Sequence, residues 1–341
     1  MDFNISTLDT KSALKLLNDF NNSIMLFEDE VKFHFDCTWV QPLGMLLSIA
    51  GIRSFRNSNK EIPFIFSTNN ECKALDYASH MGFFKAISEM IKIGNEPGQA
   101  LGNENYIPIT IIDFDALWKK DIADGNIGTL NETIERESKR LSKVLCRSNV
   151  DLQKLFTYII RELLRNIPEH AESHKAYICA QYWQNNSLAE IAIADEGIGI
   201  KNSLRKNNVH KDYIYSNLDA LECAIKPGIS QSFSPSTKIK KDDTWTNSGF
   251  GLYMTSEICK KLNGEFWIIS GDKALEIDSK EKKIHNTFLE GTAIGIKFNA
   301  SHIQNAQQLI TETAKQGEEI AKTIRNAFQN ASEPSKSLLI T

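Results

Sequence analysis

The apolar positions between residues 151 and 170 recur at helical spacing, and they predict an amphipathic helix with one face in a core. They are Leu152, Leu155, Phe156, Ile159, Ile160, Leu163, Leu164 and Ile167. Glu162 and Asn166 are four residues apart, so they share the polar face of this helix, one turn above the other. Pro168 lacks a backbone N–H and should kink or end the helix just after Asn166.

The first third of the chain alternates short apolar runs with helical patterns, which predicts a small α/β sandwich. The predicted elements are a helix over 1–23, strands within 24–36, a helix over 42–57, a strand over 62–66, a helix over 71–81 and a strand over 107–114.

The remaining chain predicts a second α/β unit, reached through a long polar helix. The predicted elements are a helix over 116–147, strands over 175–183 and 188–194, helices over 212–225 and 251–262, strands over 265–270 and 291–298 around a charged hairpin, and a helical tail over 301–331. The last ten residues, which include Pro334, are expected to be disordered.

These elements divide the chain into four predicted parts. Residues 1–115 form an α/β domain, 116–150 a helical connector, 151–300 a second α/β domain and 301–341 a C-terminal helix with a flexible tail. The connector either mediates dimerisation or signalling, or packs on the sheet of the second domain, and both alternatives are open.

Composition narrows the class of protein. The net charge of −4 gives no direct sign of a nucleic-acid partner. No run of about 18 apolar residues is present, so we expect no membrane-spanning helix. Residues 1–10 do not resemble a secretion signal, and the six scattered cysteines lack a Cys-x-x-Cys pair. We therefore expect a cytoplasmic protein with reduced thiols.

A carboxylate followed by two glycines ends the predicted strand over 188–194, as Asp195-x-Gly197-x-Gly199. An ionised carboxylate only accepts hydrogen bonds, so it suits an exocyclic amine such as that of adenine. Glycine allows the backbone to approach a flat ligand closely. On its own, this pattern is also a common turn sequence.

Two further motifs fit a phosphate ligand. Gly249-x-Gly251-Leu252 opens a helix, where backbone N–H groups and the helix dipole favour an anion. Lys238, in the polar stretch before it, is a candidate to neutralise a γ-phosphate from a lid, although a solvated loop explains it equally well. Gly291-Thr292 begins the last strand, where the threonine hydroxyl could reach a base or an ordered water.

In this order and spacing, the four elements resemble the N, G1, G2 and G3 boxes of the GHKL superfamily. This superfamily contains gyrase-type and Hsp90-type ATPases, MutL-type proteins and the ATP-binding domains of histidine kinases. The resemblance covers residues from about 150 to 299 and implies the Bergerat fold, an α/β sandwich that holds ATP between helices and a lid.

The resemblance also implies roles for single residues. Asn166 would be the protein ligand of Mg²⁺, Glu162 the general base, and Asp195 the acceptor for the adenine amine. The residues implied to shape the base slot and the phosphate cradle are Gly197, Gly199, Gly249, Gly251, Leu252 and Thr292. His170 matches a position that often holds a polar group near the phosphates, and an ordinary surface histidine is the alternative.

The N-terminal pattern resembles a STAS domain, the fold of anti-sigma-factor antagonists, with a generic α/β domain as the alternative. The similar segments are 31–36, 42–47, 62–66 and 77–84. Phosphorylatable members carry a serine at the start of the helix after the second strand. Residues 39–44 have no hydroxyl there, which puts phosphorylation of this domain in doubt.

Three functions therefore stay open. The first is an ATPase or ATP-driven conformational switch that acts on an unknown partner protein, and Glu162 favours it. The second is a serine/threonine protein kinase of the anti-sigma-factor type that acts in trans. The third is a non-catalytic ATP-binding interaction module. A homodimer is an open alternative, and the absence of histidine from residues 116–150 excludes the phosphoacceptor helix of a sensor kinase.

Overall fold

A computed structural model describes residues 1–23, 28–69, 72–126, 128–146, 149–232 and 248–337. It contains two sheets, one of three strands and one of five. The predicted mixed α/β class is confirmed. In the part of the chain that is described, no helix is long and apolar enough to cross a membrane.

The first sheet is parallel, and helices connect its strands. Its elements are β1 (Asp2–Ile5), α1 (Thr10–Asn22), β2 (Val31–Phe35), α2 (Pro42–Ser58), β3 (Phe64–Thr68), α3 (Lys73–His80) and α4 (Phe83–Ile87). The central strand buries Val31, Phe33 and Phe35 and leaves the residues between them partly exposed. The Phe33 ring stacks on Phe3 and Phe66, with centroids 5.2 Å apart in both pairs.

Two predictions at the start of the chain have different outcomes. The single helix over 1–23 is wrong for its first residues, because Asp2–Ile5 pairs with β2 as a short edge strand. A four-residue strand followed closely by a helix has too little alternation to stand out in the sequence. The strand predicted over 24–27 lies outside the described residues.

The second sheet is antiparallel throughout. Its strands are β4 (Tyr106–Asp113), β5 (Lys175–Trp183), β6 (Leu188–Asp195), β7 (Glu265–Ile277) and β8 (Lys282–Asn299). The helices around it are α5 (Phe114–Ala123), α6 (Leu130–Leu145), α7 (Val150–Asn166), α8 (Gly199–Arg205), α9 (Asn208–Lys211), α10 (Asn217–Ala224), α11 (Gly251–Lys261), α12 (Ala306–Ala321) and α13 (Glu333–Lys336).

The strand predicted over 107–114 forms, but not in the sheet to which the sequence assigned it. It pairs antiparallel with β5 and becomes the edge of the second sheet. Apolar alternation identifies a strand but does not identify its partner. The division of the chain at residues 115 and 150 stays a prediction, and this pairing argues for a boundary before β4.

The long helix predicted over 116–147 is two helices. Asp124 and Gly125 end the first one, and Gly125 has a left-handed φ of +89°. Thr129 then caps α6, with a reciprocal capping box to Glu132. The Thr-x-x-Glu spacing was the available sequence signal for this second start.

Both faces of the second sheet are covered. Helix α7 packs on one face and buries its whole apolar stripe, including Leu152, Leu155 and Leu163. The opposite face packs against the N-terminal unit. There Leu43 of α2 lies so close to β8 that a Cβ on Gly295 would stand 2.3 Å from its Cδ2 atom. The helix that carries Glu162 is held against its face of the sheet by the buried apolar stripe.

The prediction that the last ten residues are disordered is wrong for residues 332–337, which are the ones described. Residues 332–337 return to α7, with Pro334 and Ser335 buried. The Tyr158 hydroxyl donates to the Ser335 carbonyl at 3.0 Å. Serine and proline content predicted flexibility, but these specific contacts with α7 order the segment.

Candidate functional site

A cavity opens between α7, α8, α11, the end of strand β6 and the middle of strand β8. Most of the residues singled out in the sequence line it. Its described lining includes Leu163, Asn166, His170, Ile193, Asp195, Gly199, Gly249, Gly251, Leu252, Thr292 and Ile294. The start of α11 lies near Asn166, since a Cβ on Gly251 would stand 3.9 Å from Asn166 Nδ2. A mostly apolar pocket with a few convergent polar groups is the usual form of a ligand site.

Asp195 is the last residue of β6 and is only 6% exposed. Its Oδ1 atom accepts the backbone N–H of Gly197 at 2.8 Å. Burial raises the pKa of this carboxyl to about 7, although the amides of Gly197 and Thr292 donate to it and oppose the shift. A buried carboxylate aimed into an apolar cavity is suited to a ligand that donates a hydrogen bond.

Thr292 lies directly opposite Asp195, because the two residues are paired in the register of β6 and β8. The preceding Gly291 has φ +89°, and a Cβ there would stand 2.1 Å from the Asp195 carbonyl oxygen. Only glycine fits this close, left-handed position. The Gly-Thr pair is therefore a structural requirement for bringing the threonine beside the aspartate.

Helix α7 ends at Asn166 and continues as one π-helical turn, Ile167–Ala171. This confirms the break predicted from Pro168. The wider turn brings Asn166 and His170 to the cavity wall. Burial lowers the pKa of His170 to about 4, so its ring is neutral at pH 7.

Glu162 is only 4% exposed, so its helix face is buried rather than solvated. The guanidinium of Arg161 donates from Nε to Glu162 Oε1 at 3.2 Å, and Arg165 Nη1 lies 3.8 Å from the same oxygen. The other carboxylate oxygen, Oε2, accepts the Ser335 hydroxyl at 3.1 Å. Two cations and one hydroxyl thus fix the carboxylate.

Arg161 connects three parts of the chain from a fully buried position, 1% exposed. Besides Glu162, it pairs with Glu135 of α6 at 3.2 Å and donates to the carbonyls of Pro334 and Ser337. Burial by itself lowers the pKa of this guanidinium, but the carboxylates of Glu162 and Glu135 outweigh it and raise the pKa.

The start of α11 closes the other side of the cavity. Gly249 has φ +75°, and a Cβ there would lie 2.6 Å from the Ile229 carbonyl oxygen. Gly251 is the first residue of α11, so its backbone stands at the positive end of the helix dipole. Lys238, the candidate from the preceding stretch, lies outside the described residues.

Of the predicted residues that are described, Glu162 and Gly197 stand behind the cavity wall rather than in it. Gly197 supports the Asp195 carboxylate, and Glu162 lies next to Gly251. Sequence reasoning missed Ser230 and Gln231 in the cavity lining, and it missed Ser335 and Arg161 around Glu162. Polar residues in a loop and a distant tail carry no spacing signal that could have revealed them.

Comparison with protein families agrees with this geometry. Residues 151–302 match the model of the family described as histidine kinase-, DNA gyrase B- and HSP90-like ATPase. No curated protein matches the chain. The family match supports a GHKL-type ATP-binding domain over these residues, in agreement with the resemblance of the four boxes. The match covers fewer than half of the 341 residues and does not extend to the N-terminal unit, so the STAS-like assignment stays a prediction.

Proposed function

We propose that the chain binds ATP with Mg²⁺ in this cavity and works as a slow ATPase, a conformational switch that acts on a partner protein. The observation that carries the proposal is the position of Glu162. Its carboxylate lies behind the start of α11, one helical turn from Asn166, in a domain of the ATP-binding type.

The adenine end of the ligand is assigned to Asp195 and its neighbours. The carboxylate accepts the exocyclic amine in its ionised form, and Thr292 lies beside it. Ile193 and Ile294 supply the apolar surface on which a flat base packs. Gly199 lets the backbone approach that base closely.

The phosphate end is assigned to Gly249, Gly251 and Asn166. The N-terminus of α11 offers backbone N–H groups and a favourable dipole to an anion. Asn166 offers an amide oxygen, and Mg²⁺ prefers oxygen ligands and is commonly held by one or two protein groups with phosphates and waters. When bound, the ion neutralises charge on the phosphates.

Glu162 is assigned the role of general base. A carboxylate held by Arg161 and Arg165 has a fixed orientation, and it takes a proton from the group that attacks the γ-phosphate. Water as that group gives hydrolysis. We expect turnover to be slow, because Ser335 occupies the base and has to move before water can reach it.

A second candidate, phosphoryl transfer to a hydroxyl, is supported by the same contact. The Ser335 hydroxyl already donates to Glu162, so this base accommodates a serine side chain as well as a water. A protein kinase acting on a partner's serine or threonine therefore stays the alternative function.

We also propose that the N-terminal unit transmits changes at the nucleotide site to a partner protein. Arg53 of α2 pairs with Glu196 at 3.0 Å, and Glu196 follows Asp195 directly. A change at the nucleotide base would reach α2 through this ion pair. The STAS-like character of the unit, its partner, its cytoplasmic location and a homodimer are parts of this proposal.

Phosphate release from Mg-ATP by the wild type and by Glu162→Gln tests the catalytic assignment, with nucleotide binding measured on both proteins. We expect Glu162→Gln to bind ATP and to release phosphate about 10²–10⁴-fold more slowly. Glu137→Gln on α6, where the carboxylate pairs with Arg140 away from the cavity, is the control. Equal phosphate release by the wild type and Glu162→Gln would show that another group is the base.

A further inference from the structure

The C-terminal segment Ser332–Ser337 lies against α7 at the catalytic end of the cavity. Its backbone is tied on both sides of Ser335. The Ser332 N–H donates to Ser248 Oγ at 2.9 Å, and the Ser337 carbonyl accepts from Arg161 at 3.4 Å. These bonds hold the segment at one register along the helix.

That register places one side chain of the segment on the proposed base. Ser335 is 3% exposed, and its hydroxyl lies 3.1 Å from Glu162 Oε2. A general base has to be within hydrogen-bond reach of the proton that it removes, and this contact meets the requirement. Ser337 Oγ donates instead to the Glu333 carbonyl, and Ser332 Oγ donates to Ser335 Oγ at 3.2 Å, so Ser335 is the serine of this segment that bonds to the carboxylate.

The same carboxylate oxygen also faces the phosphate side. A Cβ on Gly251 would lie 3.0 Å from Glu162 Oε2 and 3.9 Å from Asn166 Nδ2. Glu162 Oε2 is therefore in contact both with the Ser335 hydroxyl and with the first residue of α11. One carboxylate oxygen thus joins the hydroxyl to the helix start that is assigned to the phosphates.

We propose that Ser335 is an intramolecular phosphoacceptor, which takes the γ-phosphoryl group of ATP with Glu162 as the base. The proposal rests on the proposed function, because it needs ATP in the cavity. Glu162 takes the hydroxyl proton, Ser335 Oγ forms a bond to the γ-phosphorus, and the bond from that phosphorus to the β–γ bridging oxygen breaks. ADP leaves with the electron pair of the broken bond, and the chain keeps a phosphate ester on Ser335.

The test uses the full chain, ATP labelled at the γ-phosphate, and Mg²⁺. Incorporation is measured by intact mass and by peptide mapping, and ATP binding is measured on the same samples. Ser335→Ala removes the acceptor, and Ser335→Thr keeps a hydroxyl at the position. Ser337→Ala removes a serine of the same segment that does not contact Glu162 and is the matched control.

We expect the wild type, Ser337→Ala and Ser335→Thr to gain a single phosphate, at residue 335 in each case, and Ser335→Ala to gain none there. The initial rate per chain stays unchanged when the protein is diluted, because donor and acceptor belong to one chain. A phosphate retained by Ser335→Ala at the wild-type level, or a rate per chain that falls on dilution, overturns the proposal.

Two further outcomes separate this proposal from the one on which it rests. If ATP binds and phosphate is released while the chain stays unlabelled, the ATPase function stands and the acceptor role of Ser335 is wrong. The same conclusion follows if Ser335→Ala only speeds up phosphate release, which would make the segment a cap. If ATP does not bind, both proposals fail.

Discussion

Gly251 and Glu162 are in such close contact that any side chain on the glycine would press on the carboxylate. A Cβ built on Gly251 stands 3.0 Å from Glu162 Oε2, which is tighter than an ordinary van der Waals contact. The glycine has an ordinary helical conformation, so space rather than backbone freedom requires it there.

Gly251→Ala should therefore damage the site without damaging the helix. Alanine favours α11 by propensity, but its methyl group presses on Glu162 Oε2 beside Asn166 and displaces the carboxylate. We expect Mg-ATP to bind about tenfold more weakly or worse, which corresponds to about 1.4 kcal/mol. Calorimetric titration measures this. Gly128→Ala, where a Cβ meets the ends of the Glu132 and Arg136 side chains, which lie outside the cavity lining, is the control. Unchanged affinity in Gly251→Ala would contradict the phosphate assignment.

Arg161→Met tests the buried ion cluster. The variant leaves the carboxylates of Glu135 and Glu162 buried beside each other without the cation that they share. Removing one partner of a buried ion pair costs about 3–5 kcal/mol of unfolding free energy. Lys322→Met, in a pair with Glu319 whose two side chains are 53% and 66% exposed, should cost less than about 1 kcal/mol. Denaturant unfolding measures the loss of unfolding free energy in both variants. Equal losses would contradict a stabilising role of the buried ion cluster.

The interface between the N-terminal unit and the second sheet contains a carboxyl that titrates near neutral pH. Glu190 of β6 is 3% exposed, and burial raises its pKa to about 7, although the Leu43 N–H donates to it at 3.1 Å and opposes the shift. The folded protein thus binds this proton more tightly than the unfolded chain does. The contribution favours folding below the ordinary glutamate pKa and is lost as pH rises through about 7.

Glu190→Gln should weaken that pH dependence, because the amide stays neutral and its oxygen still accepts from Leu43. Between about pH 5 and about pH 8, we expect the unfolding free energy of the wild type to fall by up to a few kcal/mol more than that of Glu190→Gln. Glu104→Gln, at an exposed glutamate that does not contribute to the Glu190 shift, is the comparison. Parallel pH profiles for Glu190→Gln and the wild type would show that Glu190 does not titrate in this range.

Local patterns in the sequence predicted the parts of the fold and site that depend on near neighbours. The helical spacing identified α7, and the position of Pro168 identified its end. Asp195 and Gly251 were found because a carboxylate at a strand end and a glycine at a helix start have a local reason to be there.

Relationships between distant segments could not be predicted in the same way. The pairing of β4 with β5 depends on which sheet has an open edge, and the alternation of apolar and polar residues within β4 does not indicate this. The contact between Ser335 and Glu162 joins residues 173 positions apart, in a segment whose composition indicated disorder. Burial of Glu162 likewise follows from packing by α6 and this segment.

The central claim is that Asp195 organises an ATP site. It is tested most directly by measuring the affinity of Mg-ATP for the wild type, Asp195→Ala and Glu196→Ala. Glu196 is the matched control, because it is the next residue and its carboxylate pairs with Arg53 outside the cavity. The account predicts binding to the wild type, a loss of at least about tenfold in Asp195→Ala, and little change in Glu196→Ala. Equal affinities for the wild type and Asp195→Ala would contradict it.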